Sequence, residues 1–329
     1  MDGRNERMRR IEQSNLQKAK ELPMLLQDFY YSLANLSPNT KKQYLTQIDL
    51  FFKGVYGNNY SDDDILRVTG DDINRYLASR FDQSAGKSIV AMQVSSITKL
   101  YNYLQKRKLI VYNPVGDSSG RPRIPQKEEV VYLEPDEVRQ LMDNIRNGVG
   151  DSQAGTKKRL AWKYRDLAIM HVFIFTGIRK AALVDLNVGD IDLDKGIMRV
   201  VDKGDKPREL YLDNSTIQAL RDWIDNREQV LQKYRYSTEA LFVTYFGRIS
   251  VKGIDEIVAH FTQTIGKHIS PHKLRSTFGT MYYRACGGDL LMTQEAMGHA
   301  DVKTTQRYAV PDKTQHKSII NSMARNIKS

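Results

Sequence analysis

The stretch VGDSSGRPRIPQKEE, residues 115–129, divides this chain more sharply than any other. With Pro114 it gathers three prolines among glycines and serines, so no helix or strand ladder runs through it. On both sides apolar residues recur at helical spacing, and each side must bury its own stripe. A chain of 329 residues is long enough for two such cores. The expected fold is mainly α in two domains. A basic N-terminal extension covers 1–21, an all-α domain 22–115, a linker 116–129, and an α+β domain with a small antiparallel sheet 130–329.

The charge balance narrows the partner. Lys and Arg number 50 against 39 Asp and Glu, a net charge of +11, which points to a polyanion: nucleic acid or a membrane surface. No apolar run approaches the length of a membrane span, and MDGRNERMRRIEQ has no apolar core of the kind a signal peptide needs. The one cysteine, Cys286, excludes an intramolecular disulfide and fits a reducing cytoplasm. The glycine-rich phosphate loops are missing, so nucleotide hydrolysis gains no support.

The first half reads as amphipathic helices. Leu25, Leu26, Phe29, Tyr30 and Leu33 share one stripe. Ser37-Pro38 opens a second helix carrying Tyr44, Ile48, Phe51, Phe52 and Val55. Thr69 caps a third with Asp72 in the capping-box position, and a fourth runs from Lys87 through Val90, Val94, Ile97, Tyr101 and Leu104. Lys41, Lys42 and Lys87 lie in first turns, where they suit a basic face that grips phosphates. Arg121 and Arg123 suit either a linker crossing DNA phosphates or a plain soluble tether.

In the second half, helices are expected over Glu134–Ile145 and Tyr164–Phe175, the latter stopping at Thr176-Gly177. The period then changes to two. Ile197–Val201 and Glu209–Leu212 read as strands around the turn DKGDKP. Another helix is expected from about Val251 to Ile265, and a last one over 314–327 with Ile319, Ile320, Met323 and Ile327 on one stripe.

The chemistry concentrates between Ser270 and Tyr308. Ser270-Pro271 starts a helix on which His272 and Arg275 share a face, Gly298 stops the next, and Asp301 caps a third that carries Tyr308. Two histidines, an arginine and a phenol suit phosphoryl chemistry. Guanidinium groups match the charge that builds on nonbridging oxygens, and Arg179 joins Arg275 as a candidate. A phenol with its ordinary pKa of about 10 needs a base or a strongly positive site to attack phosphorus. His272 is the candidate base, His299 a donor to phosphate, and Lys203 a general acid for the leaving oxygen.

HKLR, MGHADVKTTQRY and the upstream TGIRKAAL together resemble the active site of the tyrosine recombinases, the phage integrase family. The likeness extends from about Leu25 onward and implies a core-binding domain that clasps one side of the DNA. It implies Arg179, Lys203, His272, Arg275 and His299 around the nucleophile Tyr308. It also implies a 3′-phosphotyrosine link, exchange through a Holliday junction, and no need for ATP, a metal or any other cofactor. The implied partners are duplex DNA with paired inverted sites, a homotetramer built on DNA by exchange of the C-terminal helix, and an accessory DNA-bending or directionality factor. The implied setting is the nucleoid. The family usually has an acidic residue three after the first arginine, where this chain has Ala182; Asp185 lies one turn on. Lys206 shares the hairpin turn with Lys203 and stays an alternative for its role. Two other readings keep the fold: a non-catalytic DNA-binding regulator, and a type IB topoisomerase. Mobile-element integration or excision and chromosome resolution are equally compatible with these residues.

Overall fold

The structure, a computed structural model, describes residues 2–82, 86–118, 130–150, 152–202, 206–299 and 301–308. The chain divides into two compact units, one spanning 4–128 and the other 129–329 with the first three residues.

The first unit is all α: α1 (Asp2–Lys20), α2 (Met24–Ser32), α3 (Pro38–Tyr56), α4 (Asp62–Leu66), α5 (Gly70–Asp82) and α6 (Lys87–Lys106). Leu26, Phe29, Ile48, Phe51, Phe52, Val90, Ile97 and Leu104 form its core, as the helical spacing predicts. Ser37 accepts from the Thr40 amide at the start of α3, and Thr69 and Asp72 close a reciprocal capping box before α5. The segment read as a basic extension is α1, and it packs: Asn15 and Ala19 are buried. That packing also corrects the reading of Lys41. Its ammonium lies 2.7 Å from Glu12 of α1 and over the Tyr30 ring, so it is enclosed and paired rather than displayed on a face. Lys42 and Lys87 are exposed.

The second unit is built around α9 (Lys163–Thr176), which buries residues on every side from Ala168 to Ile174 and is therefore central rather than amphipathic. Packed on it are α7 (Pro135–Arg146), α11 (Asn214–Tyr234) and α13 (Pro271–Ala285). The sequence reading has no counterpart for α11, whose Trp223 is fully buried and donates to the Leu241 carbonyl at 2.8 Å. The remaining helices are α8 (Gln153–Ala161), α10 (Lys180–Asp185), α12 (Val251–Gln263), α14 (Leu290–Met297) and α15 (Val302–Thr305), which runs into a 3-10 turn, Gln306–Tyr308.

A three-stranded antiparallel sheet, β1 (Ile191–Asp192), β2 (Ile197–Asp202) and β3 (Lys206–Tyr211), lies between α10 and α11 in sequence. A second small pair joins β4 (Val243–Thr244) to β5 (Gly247–Arg248). In β2 and β3 the register pairs Met198 with Leu210, Val200 with Arg208 and Asp202 with Lys206. Strand alternation then sends Met198, Val200 and Asp202 to the buried face, with Leu210 and Arg208 on the same side.

Candidate active site

Two helix ends decide where charge collects. Helix α9 stops at Gly177 and α14 at Gly298, both left-handed, with φ of +58° and +59°. A Cβ on Gly177 would run into the Phe278 ring of α13, so glycine there serves close approach as well as conformation. The last carbonyls of a helix lack intrahelical partners and sit at its negative pole. Three arginines answer them. Arg275, 3% exposed, donates to Gly177 O and to Met297 O, tying the two ends together. Arg179 donates to Gly298 O at 2.9 Å, and Arg208 of β3 to Ala296 O at 2.8 Å. Among the described residues, Asp202 supplies the carboxylate to this group, pairing with Arg179 and, at 3.0 Å, with Arg208 Nε.

The histidines and the tyrosine border the same cluster. His272 lies one turn before Arg275 on α13, with its outer side in solvent. His299 follows Gly298, and its Nδ1 lies 2.9 Å from Thr305 Oγ1. Its ring stacks on Tyr308 with centroids 6.1 Å apart. Tyr308 is 1% exposed and packs on α13, where a Cβ at Gly279 would come within 3.0 Å of its ring. It stands on the 3-10 turn and not on the helix expected there. The reason is that α15 spans only Val302–Thr305 before tightening to the 3-10 pattern.

Residues 131–315 match the phage integrase family, and residues 26–108 match the phage integrase N-terminal SAM-like domain. The chain belongs to the phage integrase family. Its relatives include the tyrosine recombinase XerC of Natranaerobius thermophilus, 32% identical over 89% of this chain and 95% of that protein. XerC of Caldanaerobacter subterraneus subsp. tengcongensis is 30% identical over 92% of this chain and 88% of that one. The fold is shared with the XerH site-specific recombinase bound to palindromic difH substrate in a post-cleavage complex. That match has a TM-score of 0.66 and 20% identity, covering 88% of this chain and 82% of the other. A lambda integrase tetramer bound to a Holliday junction matches with a TM-score of 0.64 at 13% identity, over 88% of this chain and 78% of that one. The protein is an enzyme of the tyrosine recombinase class.

In this recombinase burial, reinforced by the arginine charges, lowers the pKa of the histidines and of Arg275. His299 is pushed down to about 4, first by burial and then by the charges of Arg275, Arg179, Arg208 and Arg307. His272 is lowered by partial burial, then by Arg307, Arg275 and Arg179. Arg275 falls to about 10, first through burial and then through Arg179 and Arg208, with Asp202 and Tyr308 opposing. Both imidazoles are thus neutral at neutral pH. His299 Nδ1 pairs with the Thr305 hydroxyl, and in the tautomer where that hydroxyl donates, the imidazole proton is on Nε2 and available to an acceptor.

The structure brings together Arg179, His272, Arg275, His299 and Tyr308 from sequence positions 129 residues apart at the extremes (308 minus 179). Lys203, Arg121, Arg123 and the helix expected over 314–327 lie outside the described residues. Lys206 is exposed at the start of β3. Ala182 is buried in the apolar core, so no carboxylate reaches Arg179 from there; Asp202 supplies one from β2. Sequence reading missed Asp202 and Arg208, although charged residues on the inward face of a period-two hairpin are themselves a signal. Among the described residues no cluster of three or more His, Cys, Asp and Glu side chains is placed to hold a metal ion, and no helix is long and apolar enough to cross a membrane.

The histidines have a consequence for stability. An unfolded histidine titrates at about 6.5, and both of these titrate lower when folded, so below that pH the unfolded chain binds more protons. Their contribution is complete above about 6.5 and is lost as pH falls through it towards the folded value of about 4 for His299. The thermal midpoint should therefore drop over that window, and less steeply in His299→Gln. An identical pH dependence in the variant would contradict the assignment.

Proposed function

We propose that this recombinase cuts and rejoins duplex DNA at specific sites by transesterification through Tyr308. The observation that carries the reading is the convergence of three arginines, tied to two helix ends, beside two neutral imidazoles and a tyrosine. The scissile phosphate would place its nonbridging oxygens on Arg179 and Arg275, with His299 donating a further hydrogen bond. The Tyr308 oxygen attacks phosphorus while His272 takes the phenolic proton. The P–O5′ bond breaks as the P–O bond to tyrosine forms, and Lys203 gives the departing 5′ oxygen its proton. A 5′ hydroxyl from the partner duplex then reverses the step, and two rounds pass through a Holliday junction. One ester replaces another at each transfer, so the step needs no external energy source.

Because Tyr308 is 1% exposed, residues 301–308 must shift before its hydroxyl meets an incoming phosphate. The first unit, with the linker and exposed Lys42 and Lys87, would hold the far side of the duplex, with Arg121 and Arg123 along the phosphates. The helix over 314–327 would dock on a neighbouring protomer and close a cyclic tetramer on paired inverted sites. The XerH and lambda integrase complexes, with DNA bound on this fold, support the duplex partner and the ring. An accessory DNA-bending or directionality factor and a place on the cytoplasmic nucleoid belong to the same reading.

The test begins with selection of bound fragments from random duplexes, followed by a nicked version of the winning site. Tyr308→Phe should bind that duplex as wild type does and form no covalent complex; an adduct in this variant would move the nucleophile elsewhere. Lys203→Ala should attach poorly to the normal nicked duplex. It should regain most of the wild-type rate when sulfur replaces the bridging 5′ oxygen, since a thiolate leaves without a proton. Selective rescue of Lys206→Ala instead would transfer the role to that lysine. Truncation after Asp312 should leave binding to one site intact and abolish recombination between two. Normal recombination by the shortened protein would rule out coupling through the last helix.

A further inference from the structure

We propose that Arg208 is a third phosphate-binding arginine of this site, and that Asp202 is the positioning residue that sets it against Arg179. The proposal rests on the phosphodiester reading given above. Arg208 is held in place: its Nη1 donates to Ala296 O at 2.8 Å, and its side chain is 17% exposed. A Cβ at Gly298 would stand 2.9 Å from its Cζ and 3.0 Å from Asp202 Oδ2, so backbone packs closely against the pair. Yet Arg208 Nη2, although buried, has no hydrogen-bond partner, while Arg208 Nε and Arg179 Nη1 are paired with Asp202. Asp202 neutralises both groups by direct ion pairing, one carboxylate oxygen to each arginine. A buried guanidinium donor left without an acceptor is rare, and Arg208 Nη2 fits a site whose acceptor arrives with the substrate.

The charges agree. Among the described residues of the cluster, the guanidinium groups of Arg179, Arg208 and Arg275 face the Asp202 carboxylate, an excess of two positive charges before Lys203 is counted. A phosphodiester has one negative charge, and the five-coordinate state reached on attack gathers a second on the nonbridging oxygens. Asp202 keeps the three like charges from driving one another out of so enclosed a space. As the last residue of β2, in register with Lys206, it also fixes the turn end of the hairpin against Arg179. Arg208 is therefore a catalytic residue by contact with phosphate, and Asp202 acts through the two arginines.

The experiment is single-turnover covalent attachment to the nicked duplex recovered by the selection above. The scissile group is either the normal phosphodiester or a methylphosphonate, in which a methyl group replaces one charged nonbridging oxygen. Arg208→Ala should lose about 100-fold or more on the phosphodiester, the scale seen when a preorganised donor to a developing oxyanion is removed. Its deficit against wild type should shrink on the neutral methylphosphonate, and Arg208→Lys should keep part of the phosphodiester rate. Asp202→Asn should show a smaller deficit that shrinks in the same way. The double variant should lose less than the product of the single losses, as expected of groups acting together. Attachment of Arg208→Ala to the phosphodiester at the wild-type rate overturns the proposal. Equal losses on the two substrates overturn it as well, since a purely structural defect does not sense the charge of the phosphate. Wild-type protein that attaches to no duplex overturns the phosphodiester reading itself, and that result is distinct from either of the others.

Discussion

Arginine donors meeting the open carbonyls of two helix C-termini hold this candidate active site together. A helix end leaves its last carbonyls unpaired and carries partial negative charge, and a guanidinium offers several donors in a fixed plane. Arg275 spans the ends of α9 and α14, while Arg179 and Arg208 each take a carbonyl of α14 or its cap. Gly177 and Gly298 make this feasible. Each turns the chain into the left-handed region, and each leaves room that a side chain would fill. The central helix α9 is buried on all sides, so its end is fixed by the core, and the arginines inherit that rigidity.

Gathering cations in this way would be unfavourable without compensation. Asp202 provides part of it, and the neighbouring groups adjust by losing protons: His272 and His299 are both driven below their ordinary range. Burial, reinforced by the same field that would stabilise a phosphorane, thus favours the neutral form of the imidazoles. Tyr308 lies stacked on His299 and enclosed by α13, an arrangement that holds its side chain beside the cluster and away from solvent.

Much of the site was legible in particular residues. The spacing of His272 and Arg275 places them one turn apart on any helix, and Ser270-Pro271 marks where that helix begins. Gly177 and Gly298 mark where two others end, and the switch to period two locates the hairpin. These are local signals, written within a few residues of the feature they specify. The enclosure of Lys41 by Glu12 was not legible, because a lysine in a first turn reads as exposed until another helix covers it. The helix Asn214–Tyr234 was passed over, although its buried Trp223 belongs to the core of the second unit.

The sequence by itself determined the helical character of both halves, the hairpin, the helix stops and the set of residues able to do phosphoryl chemistry. Each of these depends on backbone preference or side-chain period over a short window. Tertiary structure alone decided that the carboxylate on Arg179 comes from Asp202 on β2 while Ala182 lies in the apolar core, that Arg208 stands among the arginines, and that Tyr308 is buried on a 3-10 turn. Those outcomes depend on which helix end meets which strand across long stretches of chain. No local pattern encodes such a meeting; it follows from how the buried faces of α9, α13 and the hairpin fit one core.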